Sequence, residues 1–94
     1  MKRYLIERNI PKAGAMTGAE LCHAAETSNA VITRMAPRVQ WQHSYVADDA
    51  IFCVYIADGA EEVREHARLS GFPANRVIEI ATIIDPMTAV ATGS

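Results

Sequence analysis

The spacing of apolar residues in the first half of the chain predicts a strand followed by a helix. Residues 2–9 favour extended backbone, and a proline soon after them ends the segment. Thr17 and Glu20 have the spacing of a capping box, in which the threonine caps a helix and the glutamate reaches back to it. Apolar and small residues then recur at helical spacing as far as Met35, and Pro37 stops the helix.

The second half of the chain predicts a hairpin, a second helix and a last strand. Asp48 and Asp49 are typical of a turn, and the segments on either side are dense in β-branched and aromatic residues. Gly71 lies where a glycine commonly ends a helix. The predicted elements are strands at residues 38–47 and 51–57, a helix at residues 58–70 and a strand at residues 76–84.

This β-α-β-β-α-β order predicts an α+β fold, the ferredoxin-like sandwich. Its two βαβ halves, joined by a hairpin, form a four-stranded antiparallel sheet with two helices on one face. We expect this domain to occupy residues 1–87. Residues 88–94 are small and weakly patterned, and we interpret them as a flexible C-terminal tail.

Composition excludes several classes of protein. With 94 residues, of which 50% are hydrophobic and 21% charged, the chain is typical of one globular domain. A net charge of −2 argues against a nucleic-acid binder, since such domains usually carry a basic excess. No segment has the pattern of a membrane span or a signal peptide, so we expect a cytoplasmic protein with no membrane partner. In that compartment Cys22 and Cys53 are expected to be free thiols.

The sequence leaves the two faces of the hairpin open to alternative assignments. With a turn at residues 48–49, His43 lies opposite Val54, Ser44 opposite Cys53 and Gln42 opposite Tyr55. One face then holds Trp41, His43, Tyr45, Phe52, Val54 and Ile56. We expect this first face to be the core under the helices. The other face holds Gln40, Gln42, Ser44, Val46, Ile51, Cys53 and Tyr55. This second face suits a dimer interface or a pocket, although a bulged or longer turn would place His43 with Cys53 instead.

Three histidines carry most of the candidate chemistry, and each also has a structural explanation. His43 is either a metal ligand or acid–base group, or a core histidine bonded to the backbone. Glu62 and His66 lie one helical turn apart, beside Glu65, which suits a divalent metal, although a solvated helix face is the favoured explanation. We interpret His23, in a single Glu-x-x-His pair, as a surface residue.

Two further residues have open interpretations. Cys53 lies within an apolar strand, where a thiol mostly behaves as a small apolar group. Glu7 is a carboxylate in the first strand, so it either pairs with Arg8, Arg38 or a histidine or lies on the charged side of an alternating strand.

Several motifs resemble the small bacterial nickel-binding protein family. The matching segments are residues 4–11, 40–46, 53–57, 63–68 and 71–77, and the resemblance extends from about Lys2 to Pro86. The most specific pieces are the strand Trp-x-His-Ser-Tyr and the helix end Glu-His-Ala, followed by Gly-Phe-Pro-Ala. The resemblance implies a ferredoxin-like subunit that dimerises and binds a divalent metal, with nickel as the named ion. His43, Glu65, His66 and Cys53 fall inside matching motifs, whereas His23 does not.

These residues and the resemblance are consistent with three functions. The first is a nickel-binding protein that sequesters or senses the metal as a homodimer, with His43, His66, Glu65, Glu62 and Cys53 as candidate ligands. The alternative is a small dimeric enzyme, isomerase-like or cyclase-like, that acts on a small organic molecule in a pocket around His43 and Glu7. Its other candidate catalytic residues are Tyr45, Cys53 and Tyr55. The third is a module that binds a partner through the uncovered sheet face.

The predicted fold also predicts a homodimer. Helices cover only one face of the sheet, and a domain of this size buries only about 60–65% of its chain surface alone. We therefore expect two chains to meet through the uncovered sheet face.

Overall fold

The computed structural model describes residues 1–91, which form an antiparallel sheet of four strands with two main helices on one face. The strands are β1 (Lys2–Asn9), β2 (Val39–Val46), β3 (Ala50–Ala57) and β4 (Arg76–Ile80), and the helices are α1 (Gly18–Met35) and α2 (Ala60–Ser70). The strand order is β2-β3-β1-β4. The predicted α+β, ferredoxin-like β-α-β-β-α-β fold is confirmed.

Local signals in the sequence set the helix ends. Thr17 Oγ1 accepts a hydrogen bond from the Glu20 backbone N–H at 3.1 Å, and a Glu20 carboxylate oxygen accepts one from the Thr17 N–H at 2.8 Å. This is the capping box that the sequence predicts. Gly71 ends α2 in the left-handed conformation, with φ 80°, and its N–H donates to the Ala67 carbonyl.

Gly71→Ala should destabilise the protein by about 1 kcal/mol, because a side chain disfavours the left-handed backbone. Among the described residues, no atom beyond the adjoining chain lies within 4 Å of the position where the new Cβ would be, so the cost is conformational and not a clash. Gly18→Ala is the matched control, since Gly18 opens α1 with similarly free space around it, and alanine favours helix. In urea unfolding, the midpoint of Gly71→Ala should lie below that of the wild type, and the midpoint of Gly18→Ala should lie above it. Equal midpoints would contradict this explanation of Gly71.

The hydrophobic core lies between the helices and the covered face of the sheet. The two helices contribute side chains that recur at helical spacing, and the strands contribute alternate residues. The buried members of this core are Tyr4, Ile6, Val31, Met35, Val39, Cys53, Tyr55, Ala57 and Val63.

A bulge in β2 determines which hairpin residues face the helices. The predicted turn at residues 48–49 is present, and it pairs Ser44 with Cys53 and His43 with Val54 as expected. Trp41, however, takes the place predicted for Gln42 opposite Tyr55, because the strand bulges between Trp41 and His43. Trp41 therefore joins the covered face.

The predicted core face of the hairpin was wrong. The helices cover the face that carries Ser44, Val46, Ile51, Cys53 and Tyr55, whereas His43, Tyr45, Phe52, Val54 and Ile56 lie on the uncovered face. The more apolar face was expected inside. The structure instead buries the face whose polar groups bond to one another.

The chain leaves the sheet earlier than predicted. The last strand ends at Ile80 and not at residue 84, because Ile80 pairs with Arg3 and β1 begins at Lys2, so little partner strand remains. Residues 81–90 are all exposed, and a short helix, α3 (Thr88–Ala91), begins within them. Four residues of the predicted flexible tail are therefore helical, and residues 92–94 lie outside the described residues.

Two further observations concern the described chain. Cys22, which is exposed, and Cys53, which is buried, are both free thiols, as expected. Within residues 1–91, no helix has the length and apolar character needed to cross a membrane.

Candidate functional site

The uncovered sheet face carries an accessible histidine. His43 projects from β2 opposite Val54 and is exposed. Its ring meets the Tyr45 ring edge-on, with 5.0 Å between the ring centroids, and Tyr45 is 61% exposed. An imidazole in this position is free to bind a metal ion or a partner.

Glu7 lies on the same face but apart from His43. It is half-buried on β1, and its carboxylate lies 3.7 Å from an Arg76 guanidinium nitrogen. Within residues 1–91, Arg76 is therefore the partner of Glu7, in place of the predicted Arg8, Arg38 or histidine. Strand β3 lies between β1 and β2, which separates Glu7 from His43 by about 10 Å of sheet. A cavity of about 530 Å³ lies on the covered face, and neither His43 nor Glu7 lines it. The pocket around these two residues stays a prediction.

The covered face holds a polar cluster around Arg8. This arginine is only 2% exposed. Its Nε donates to Cys53 Sγ at 3.4 Å, one terminal nitrogen donates to the Pro73 carbonyl at 2.6 Å, and the other donates to the Tyr55 hydroxyl at 3.2 Å. Burial raises the pKa of Tyr55, while the Arg8 charge opposes the rise. Tyr55 therefore keeps its proton at neutral pH.

His66 extends this cluster from α2. It is fully buried, its Nε2 lies 3.2 Å from Ser28 Oγ, and its ring centroid is 5.0 Å from that of Tyr55. Its Nδ1 has no hydrogen-bond partner among the described residues. Burial, helped by the Arg8 charge, lowers the pKa of His66 from 6.5 to about 4. His66 is thus a neutral, enclosed imidazole.

The acidic residues predicted as metal ligands on α2 do not gather around His66. Glu65 forms a two-point pair with Arg68, with contacts of 2.7 and 2.6 Å, and this bonding lowers the pKa of the carboxyl group. Glu62 is half-buried in the first turn of α2. Across residues 1–91 the structure brings no three His, Cys, Asp or Glu side chains together as a ready metal site.

A cavity of about 530 Å³ opens between α1 and the covered face, beside the Arg8 cluster. The first half of α1 forms one wall, and the strands and the segment after α2 form the others. Trp41 lies in the opposite wall, where its Nε1 donates to Ser44 Oγ at 2.9 Å. Residues three apart in a regular strand point to opposite faces, so the bulge in β2 makes this bond possible.

Sequence reasoning missed Arg8 as a site residue. It named Arg8 only as a partner for Glu7, since a charged residue in a strand suggests an outward position. The available signal was its phase: Arg8 follows Tyr4 and Ile6 at spacings of two, and all three are buried on one face.

Comparisons with known proteins agree with this fold. The crystal structure of SCO4226 from Streptomyces coelicolor A3(2) superposes on the chain with a TM-score of 0.74 and 18% sequence identity, covering 87% of this chain and 99% of that one. At that identity the likeness shows the fold alone. No protein with a curated description matches the chain. The family model described as nickel responsive protein SCO4226-like matches residues 4–80, which is most of the sequence. The chain therefore belongs to the SCO4226-like family of nickel responsive proteins.

Proposed function

We propose that this protein binds nickel as a homodimer, and that it sequesters or senses the ion. The observation that carries the proposal is the exposed His43 on the uncovered sheet face of a chain from a nickel responsive family. Imidazole is a ligand type that suits nickel, and an exposed ring needs no rearrangement of the core to reach it.

The second chain supplies the further ligands in this proposal. Residues 1–91 of one chain gather no three candidate ligands, while a two-fold dimer presents each exposed ligand twice at one interface. Of the five ligands predicted from the sequence, His43 is the most accessible. His66 and Cys53 are buried, and Glu65 is already paired with Arg68.

Two features favour a second copy of this chain as the partner for the uncovered face. The centre of that face is apolar, with Leu5, Phe52, Val54, Ile56 and Ile78 on three neighbouring strands. Beyond β4, residues 81–90 are entirely exposed and form an apolar arm that includes Ile83, Ile84, Met87 and Val90. Exposed apolar surface of this extent typically marks an interface.

Calorimetry with nickel chloride tests the proposal. Metal-free wild-type protein should bind nickel, and His43→Ala should bind it at least about 10-fold more weakly, since a ligand is lost. His23→Ala is the matched control, because His23 is also exposed but lies on α1, away from the uncovered face. Its affinity should equal that of the wild type.

The outcomes separate the parts of the proposal. If wild-type protein released no heat and retained no nickel after dialysis, the nickel function would be wrong. If nickel bound equally well to His43→Ala and to wild type, the function would stand but His43 would not be a ligand.

A further inference from the structure

Arg8 is a buried cation without an anionic partner among the described residues. Its three hydrogen bonds go to a thiol, a backbone carbonyl and a phenol, and Tyr55 keeps its proton. No carboxylate within residues 1–91 forms an ion pair with it. A buried charge is costly unless it is paired, so the position favours an anion supplied from outside the chain.

The Arg8 guanidinium has N–H groups that its three hydrogen bonds do not use and that can donate to such an anion. A guanidinium group carries five N–H groups, and the three bonds named above use one N–H on each nitrogen. Each terminal nitrogen therefore keeps one N–H, and the Tyr55 hydroxyl can donate its own proton. Arginine commonly binds a carboxylate through two of its N–H groups.

The size and lining of the cavity in front of Arg8 indicate what the uncharged part of the ligand is. Its volume of about 530 Å³ is within the range of small-molecule sites. Apart from the polar cluster and Ser44, its walls are apolar. They include Met16, Leu21, Trp41, Ile51, Phe72 and Pro73. An apolar body would fill this space while Arg8 held the charged end.

We propose that the cavity between α1 and the sheet binds a small monocarboxylic acid with an apolar aliphatic or aromatic body, its carboxylate paired with Arg8. This site is separate from the proposed nickel function, because His43 lies on the opposite face of the sheet. Either proposal can therefore fail without the other.

Three probes separate the charged end from the apolar body in the wild-type protein. Trp41 is the chain's single tryptophan and lies in the cavity wall, so its fluorescence reports occupancy. Octanoate should bind at least 10-fold more tightly than 1-octanol, which has the same chain without the charge, and acetate should produce no change at the same concentrations. Equal affinities for octanoate and 1-octanol would overturn the role of Arg8. No fluorescence response to either would overturn the site.

Variants locate the binding within the fold. Arg8→Met should remove the preference for octanoate, leaving its affinity near that of 1-octanol, whereas Arg64→Met, an exposed arginine on α2, should change neither. Ala25→Phe narrows the cavity and should weaken both ligands at least 10-fold while leaving Arg8 in place.

Circular dichroism establishes whether each variant folds. If Arg8→Met does not fold, ligand binding by Ala25→Phe still tests the proposal, as does the comparison of octanoate with 1-octanol on the wild type. Unchanged binding of both ligands by Ala25→Phe would place them elsewhere and contradict the proposal.

Discussion

In the wild-type chain, the low pKa of buried His66 should lower the free energy of unfolding by about 3 kcal/mol as the pH falls. His66→Gln should abolish this fall. Burial lowers the pKa of His66 to about 4 from 6.5, so between these pH values the unfolded chain binds a proton that the folded chain does not. The His66 contribution to the free energy of unfolding is therefore complete above about pH 6.5 and is lost as the pH falls to about 4. Each pKa unit corresponds to about 1.4 kcal/mol.

Urea unfolding of wild type and His66→Gln at a series of pH values measures this difference. The variant is expected to be less stable at pH 7, because glutamine does not fill the space of the buried ring. The gap between the two proteins should then narrow as the pH falls. His23→Gln makes the same substitution at an exposed position and should run parallel to wild type throughout. A constant gap between wild type and His66→Gln would show that His66 is protonated alike in both states.

The parts of the fold that were predictable depend on short-range signals. Thr17 and Glu20 cap α1 through residues three apart, and Gly71 ends α2 through its own backbone conformation. The hairpin turn at residues 48–49 is likewise a local feature. Such signals act within a few residues, so they identify elements and their order without reference to the rest of the chain.

Which face of the hairpin the helices cover depends on contacts that sequence patterns do not show. The bulge beside Gln42 reverses the phase of β2, and it is accompanied by the bond from Trp41 to Ser44. The bonds from Arg8 to Cys53 and Tyr55 join residues 45 and 47 positions apart. These interactions exist only after the strands pair, so the apolar character of the hairpin alone favoured the wrong face.

The candidate site shows the same limit. His66 was predicted from its spacing to Glu62, a pattern that suits an exposed metal pair. It also follows Val63 by three residues, in phase with the buried stripe of α2, and this second pattern proved decisive. When a polar residue is in phase with buried neighbours, a bond inside the core is the better hypothesis, as Arg8 also shows.

Tyr45→Glu and Ile84→Glu should each weaken the proposed dimer by at least about 100-fold while leaving the single chain folded. Tyr45 on the uncovered face is 61% exposed, and Ile84 on the C-terminal arm is 76% exposed, so neither supports the core of its own chain. Burying such a side chain contributes about 1.5–3 kcal/mol. A two-fold interface uses each residue twice, which gives about 3–6 kcal/mol, and about 1.4 kcal/mol is a tenfold change in affinity.

Light scattering across a dilution series measures both the mass and the dissociation constant. Wild type should have the mass of two chains, and both variants that of one. Ala30→Glu introduces the same charge on the exposed side of α1, where no partner is proposed, and should remain a dimer. Because the arm lies outside residues 4–80, the region shared with the family, Ile84→Glu also tests whether this chain adds its own contacts to the interface. If Tyr45→Glu loses the dimer and Ile84→Glu retains it, the interface lies on the sheet face alone. If the wild type has the mass of one chain, the dimer proposal is wrong.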